Sequence, residues 1–315
     1  MCPPQQRSPD LKTLPSAEQR ADFIKSMAKA AGFDRVGICG PGPFAESAAF
    51  LDWLERGYHG AMSYLAREPQ RRVAPAATRP WVRSVIALAV DYNTDHPTSV
   101  EVPDDPSRGW ISRYAWGRDY HDVLERKLAA FAKAAEVHPL TAGRYHYYVD
   151  HGPVLERVYG HHAGLGWFGK NTMLIHPRFG SYFFLAVVLT DADLSHDAPV
   201  VDHCGSCTRC LDACPTGAFP EPHVLDATRC ISYWTIEQRE DIPPTLQEQV
   251  GFHVFGCDIC QDVCPYNRRA PFTEAPEFQP RPGLFHPHLD DLLADDEEQF
   301  RRRHTKSPIK RRKWQ

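Results

Sequence analysis

Eight cysteines fall between residues 204 and 264, and their spacing limits what the second half of this chain can fold into. Cys204-Gly-Ser-Cys207-Thr-Arg-Cys210-Leu-Asp-Ala-Cys214-Pro215 is a C-x2-C-x2-C-x3-C-P run. Three thiolates on so tight a loop can cap three irons of a cube, and a fourth launched into a following helix points to a different cluster, which is how this spacing holds 4Fe-4S clusters. Cys257-x2-Cys260-x3-Cys264-Pro265 is a second copy lacking its first cysteine, whose place is taken by Val254. Two cubanes need eight ligands, and Cys230 is the cysteine left in this half, so it is expected to fill the vacancy. The crossed arrangement then gives Cys204, Cys207, Cys210 and Cys264 to one cluster, and Cys214, Cys230, Cys257 and Cys260 to the other. Cys2 and Cys39 remain, a terminal thiol and a small buried apolar residue. Structural zinc also uses C-x2-C pairs, but it does not require this longer run.

Two clusters on one crossed scaffold make a wire for single electrons. The rest of the chain is ample to house what the wire feeds: 315 residues correspond to roughly two domains. Met1 to Ser26 has no apolar stretch and carries Asp10, Glu18 and Asp22, so no secretory start is expected. The longest apolar run, Tyr182 to Leu189, is far short of the ~20 residues of a membrane helix. The expectation is a cytoplasmic protein with no membrane association, where dense cysteine means metal or redox chemistry. Net charge is −4, yet residues 301–315 hold eight basic side chains and no acid, leaving −12 on the rest. Charge so distributed permits a nucleic-acid partner at one end of an acidic body.

Up to about residue 195, helical and extended patterns alternate. Ser16 with Gln19 forms a capping-box signature opening a helix to Ala31. Strands are expected at Arg35–Cys39, Ser84–Tyr92 and Arg144–Val149, and helices at Phe44–Arg56 and Val154–Ala163. Leu124, Leu128, Phe131 and Ala135 mark the stripe of an amphipathic helix. Thr172–Ile175 and Tyr182–Thr190 read as a hairpin around the Pro177–Gly180 turn. The loop from Asn93 to Trp110 is too long to be an idle connection. This organisation suggests an α/β or α+β domain over residues 1–196, a two-cluster domain over 197–275, and a C-terminal segment over 276–315 that is proline-rich, then acidic, then basic.

Gly164-Leu-Gly166-Trp-Phe-Gly169 matches G-x-G-x-x-G, but a helix precedes it and a strand follows, the reverse of a dinucleotide fingerprint. No phosphate-loop motif occurs. The stretches Ser112–His121, Tyr148–Arg157, Gly166–Thr172, Cys230–Glu237 and Gly256–Pro265 together resemble the epoxyqueuosine reductase family, with similarity running from about residue 20 to 313. The resemblance implies a cobalamin-dependent, two-cluster enzyme that reduces epoxyqueuosine at the tRNA wobble base to queuosine, the last step of queuosine synthesis. It implies a corrinoid-binding α/β (α+β) domain, as in reductive dehalogenases, followed by a bacterial ferredoxin-like domain.

Alone, Asp150 reads as a turn aspartate before Gly152-Pro153; the resemblance makes it the general acid, a carboxyl kept protonated by an apolar pocket. Lys170 and Asn171 follow glycines and serve either the turn or a bulky planar ligand. Arg71 and Arg72, otherwise solvated charges, match an arginine-rich family segment beside the cofactor. Ser112, Ser232 and His253 complete the expected cobalamin contacts, Ser112 standing where some members carry a cysteine. Trp110, Tyr114, Trp116 and Tyr120 suit core packing or stacking on an exposed base. The basic segment Arg301–Lys313 suits phosphate contact. The implied partners are a tRNA carrying epoxyqueuosine and a flavodoxin- or ferredoxin-type electron donor, with the chain acting as a monomer. Two other readings compete: a corrinoid reductive dehalogenase, and a non-catalytic iron-sulfur electron carrier.

Overall fold

The computed structural model describes residues 15–103 and 105–312. Cys2, Asp10 and Lys313 lie outside the described residues. Eight strands carry the architecture: β1 (Arg35–Cys39), β2 (Ser84–Asp91), β3 (Trp110–Ile111), β4 (Tyr145–Tyr148), β5 (Trp167–Phe168), β6 (Leu174–Ile175), β7 (Phe183–Thr190) and β8 (His253–Phe255). The central sheet runs β1-β2-β7-β4, every neighbour antiparallel.

Side chains alternate across this sheet with the period of two that a strand imposes. Ile86, Leu88 and Val90 of β2 face one core with the helices Ala17–Ala30 and Tyr120–Val137, which contribute Ile24, Ala28, Leu124, Leu128 and Phe131. Val85, Ala87 and Ala89 face a second core with Tyr159 and Ala163 at the helix Glu156–His162. Gly37 permits that helix to sit down: a Cβ there would meet the Ala163 carbonyl oxygen at 1.9 Å. The capping box of Ser16 and Gln19 forms as its sequence predicts.

The hairpin expected of residues 172–190 does not form beyond a single His176–Gly180 bridge. β6 pairs with β5 instead, inside the glycine-rich stretch. Seven of the eight β7 residues are buried, so the strand needs cover on both faces and ladder partners on both edges, which β2 and β4 supply. β3 and β8 form a short parallel pair that brings the end of the long loop against the cysteine region.

The C-terminal segment is folded, not a solvated tail. Helices Leu289–Leu293 and Glu297–Arg303 are followed by the turn Pro308–Arg311, anchored by the buried Ile309 against Trp110, Trp116 and Leu284. Its acids neutralise its bases locally: Arg301 with Glu297, Arg302 with Glu298, Arg303 with Asp295. Core packing accounts for the four aromatics near the long loop. Trp110 and Trp116 meet edge to face at 5.5 Å, Tyr114 packs on Tyr120, and Tyr120 stacks on Phe184 at 4.3 Å. No described helix is long and apolar enough to cross a membrane.

Candidate active site

The eight cysteines of the C-terminal half converge in two groups. Burial raises Cys210 and Cys264, and each also feels neighbouring thiols: Cys210 those of Cys264 and Cys204, Cys264 those of Cys204 and Cys207. Burial drives Cys257 and Cys260 well above the ordinary thiol range, and Cys214 and Cys230 face them both. Cys230 is likewise raised by burial and faces Cys214. Among the described residues no three of these thiols lie within 4.8 Å of one another. Zinc with bonds of about 2.3 Å would draw its tetrahedral sulfurs to roughly 3.8 Å. The wider spacing suits a cube of iron and sulfide. Donors already point at the sulfurs, with Trp167 Nε1 3.4 Å from Cys204 Sγ and the Ala218 amide 3.3 Å from Cys214 Sγ.

The first cysteine loop lies at the surface, residues 201–203 and 205–206 being exposed, whereas Phe255, Gly256, Asp258, Gln261 and Asp262 bury the second. Lys170 and Asn171 fasten the two loops. Lys170 Nζ donates to the Gly205 carbonyl at 2.7 Å, and Asn171 Nδ2 to the Cys260 carbonyl at 2.9 Å. Each of these side chains, which the sequence suggests for the turn or for a bulky planar ligand, gives one donor to a cysteine loop. The adjoining Thr172 sits at φ 63°, an unusual place for a β-branched residue.

Asp150 follows β4 at φ 59°, in the left-handed region where an aspartate costs about 1 kcal/mol. Tyr120 donates a short hydrogen bond to its Oδ2, and His121 Nε2 lies 3.4 Å from the same oxygen. On the other side of the imidazole, Nδ1 is 2.7 Å from Asp119 Oδ1. The Asp150 side chain is 64% exposed, although burial is the leading influence on its ionisation. Tyr64, Tyr114, Glu156 and Glu237 all feel its charge.

The electrostatics correct the expectation of a protonated Asp150. Burial raises it, but hydrogen bonds from His121 and Tyr120, with the charges of His121 and Arg157, bring it below the ordinary carboxylate range. Burial would lower His121, yet its bonds to Asp119 and Asp150 outweigh that and raise it. The pair thus favours the carboxylate form of Asp150 and the protonated form of His121. The carboxyl kept neutral is Glu156, pushed up to about 8 by burial and then by the Asp150 charge. Neither Glu156 nor His121 was singled out from the sequence, although both lie in motifs that carry the family resemblance.

Several described side-chain atoms are buried without a partner: Arg72 Nε, Tyr148 OH and Glu156 Oε1, on segments near Asp150, and His253 Nε2 on β8. Such atoms normally find partners, and a corrin rimmed with amide groups offers both donors and acceptors, so the residues fit the group. Arg72 Nη1 is held by the Gly152 carbonyl at 3.0 Å, while Arg71 turns to Glu68 at 2.8 Å. His253 Nδ1 lies 3.0 Å from the Val250 carbonyl, and burial keeps the ring neutral. Ser112 Oγ donates to Asp258, and Ser232 bonds the Cys230 sulfur. A separate open cavity of about 880 Å³ lies between the 93–101 loop and residues 209–213, away from Asp150.

Eight gathered thiols in a half of the chain with ferredoxin spacing define a two-cluster iron-sulfur oxidoreductase. Residues 203–267 match the family model for a 4Fe-4S double cluster binding domain, and residues 72–151 match the one described as "Epoxyqueuosine reductase QueG, DUF1730". The epoxyqueuosine reductase of Pseudomonas aeruginosa is 42% identical over 301 residues, covering 94% of this chain and 82% of its own. A crystal structure of selenomethionine-labelled epoxyqueuosine reductase matches with a TM-score of 0.85 at 32% identity, over 95% of this chain and 79% of that one. Another, of epoxyqueuosine reductase with an epoxyqueuosine-modified tRNA-Tyr stem loop, matches at 0.83 and 33%, over 93% and 77%. A catabolic reductive dehalogenase, 16% identical at a TM-score of 0.50, over 84% of this chain and 34% of its own, shares the fold alone. The chain belongs to the epoxyqueuosine reductase family.

Proposed function

We propose that this chain reduces epoxyqueuosine at the wobble position of a tRNA to queuosine, the last step of queuosine synthesis, using two 4Fe-4S clusters and cobalamin. The net reaction takes two electrons and two protons, turns the epoxide into an alkene and releases water. The observation that carries the reading is the Asp119–His121–Asp150 line, linked through Tyr114 to the cysteine loop. Tyr114 feels both Asp150 and Asp258, the residue after Cys257. In this reading Cys204, Cys207, Cys210 and Cys264 hold the cluster nearer the surface, and Cys214, Cys230, Cys257 and Cys260 the inner one.

Cobalamin bound beside Asp150 would supply strongly reducing cobalt chemistry at the epoxide carbon. Arg72, Tyr148, Glu156 and His253 would hold it with their free polar atoms; Arg71, Ser112, Lys170, Asn171 and Ser232 brace the surrounding walls. Asp150, a carboxylate at rest, takes a proton from His121 Nε2 and passes it to the departing epoxide oxygen. Tyr120 orients the carboxylate, and neutral Glu156 avoids a second negative charge beside it. A flavodoxin- or ferredoxin-type donor would meet the exposed first cysteine loop, in keeping with a monomer acting in the cytoplasm. The domains follow the same division: 1–196 for the cofactor and acid, 197–275 for the clusters, and a C-terminal segment, 276–315, whose Lys306 and Arg311 contact Asp119.

Incubation of the cluster-loaded protein with reductant and an epoxyqueuosine-tRNA stem loop, with and without cobalamin, tests this by mass spectrometry of the nucleosides. Conversion to queuosine that requires cobalamin is expected. Conversion without cobalamin would refute the cofactor assignment, and none under either condition would refute the function.

A further inference from the structure

The C-terminal segment grips the start of the helix Tyr120–Val137 at two points. The Asp119 amide donates to the Lys306 carbonyl at 2.7 Å, and Asp119 Oδ2 accepts from Arg311 Nε at 2.7 Å. The other carboxylate oxygen, Oδ1, faces the His121 amide at 3.1 Å and His121 Nδ1 at 2.7 Å. Asp119 is buried, and the hydrogen bonds from His121 and Arg311 overcome that burial to bring it down to about 2. Arg311 itself is 54% exposed, and the turn that bears it is anchored by Pro308 and Ile309, so its side chain is not needed to hold the segment in place.

We propose that Arg311 is a positioning residue for the acid: through Asp119 it fixes the imidazole of His121 and thereby the proton that Asp150 delivers. This rests on the reading of Asp150 as the acid. The groups facing His121 are Asp119, Asp150, Arg311, the Tyr120 ring at 4.0 Å and the His151 ring at 5.7 Å, the last beside Glu125. Without Arg311, Asp119 Oδ2 becomes a buried oxygen with no donor, and the carboxylate can swing or take up a proton. Either change deprives His121 of its main partner and makes it release its proton at lower pH. Loss of the Arg311 charge alone would act the other way, because a neighbouring cation makes an imidazole harder to protonate. The direction of the shift therefore separates positioning from simple charge.

The test compares wild type, Arg311→Gln and Arg311→Lys as enzymes loaded with clusters and cobalamin, with an epoxyqueuosine-tRNA stem loop as substrate. In Arg311→Gln the alkaline limb of kcat should move to lower pH, with turnover at pH 8 down about tenfold and KM unchanged, and Arg311→Lys should recover part of it. A limb that stays in place or moves upward would overturn the proposal, as would a raised KM with the limb unmoved, which marks an RNA contact. The His121 titration is read independently by nitrogen NMR of histidine-labelled protein and should fall in Arg311→Gln. A wild type that bound the stem loop but never converted it would sink the acid reading, while the NMR shift would still decide the role of Arg311.

Discussion

The hydroxyl of Ser112 donates to the buried carboxylate of Asp258 at 2.5 Å, joining the end of β3 to the loop that presents Cys257. Asp258 also accepts from Trp110 Nε1 at 3.1 Å and the Arg113 amide at 2.7 Å. Asp258→Ala would strand three buried donors and should cost about 3 kcal/mol, with loss of inner-cluster iron; Ser112→Ala should cost roughly 1–2 kcal/mol and keep both clusters. Denaturant unfolding of the anaerobic, cluster-loaded proteins, followed by iron analysis, measures both.

Cys230→Ala should drop the reconstituted protein from about eight irons per chain to about four, because one cube loses its fourth thiolate. Cys39→Ala should keep about eight. Cys39 is a core thiol, raised to about 12 by burial and then by the Asp197 charge, and its sulfur lies 3.6 Å from the Tyr159 carbonyl. Colorimetric iron determination with EPR of the reduced protein distinguishes the two variants.

Glu156 makes stability depend on pH. Its folded value, about 8, lies above the unfolded value of 4.5, so the folded chain keeps a proton that the unfolded chain releases. The associated stability is complete below pH 4.5 and is lost as pH rises through about 8. Glu156→Gln cannot ionise and should lose less stability than wild type between pH 5 and pH 8. Denaturation midpoints at those two values would show equal losses if Glu156 were ordinary.

Arg301, Arg302, Lys306 and Lys310 remain exposed on the outer face of the C-terminal segment. The ion pairs of Arg301 and Arg302 are i,i+4 surface pairs, which contribute little to stability. Replacing Lys306 and Lys310 with alanine should leave thermal stability unchanged and weaken stem-loop binding. The slope of log affinity against log salt should fall by about 0.7–0.9 for each phosphate contact removed. Fluorescence anisotropy across salt concentrations reads this, and an unchanged slope would exclude these lysines from the RNA interface.

What could be read from the sequence was local. The Ser16–Gln19 cap, the bounds of β1 and the Leu124–Ala135 stripe each depend on residues within a few turns, and all appear as expected. The cysteine runs were legible because a cubane dictates spacing. Pairings between distant segments were not: β7 leaves its neighbour β6 for the sheet centre, and Arg311 reaches Asp119 across 192 positions. Asp150 could be placed but not its protonation, since that depends on Tyr120 and His121, which its own motif does not contain. For Lys170 and Asn171 the sequence offers a turn or a ligand, and the bonds to Gly205 and Cys260 lie too far along the chain for it to suggest.

Those two residues also tie the cysteine loops to each other. One short turn reaches into both loops through carbonyls rather than thiols. A displacement of that turn would be felt in both loops at once, so the two links of the electron path share one mechanical anchor.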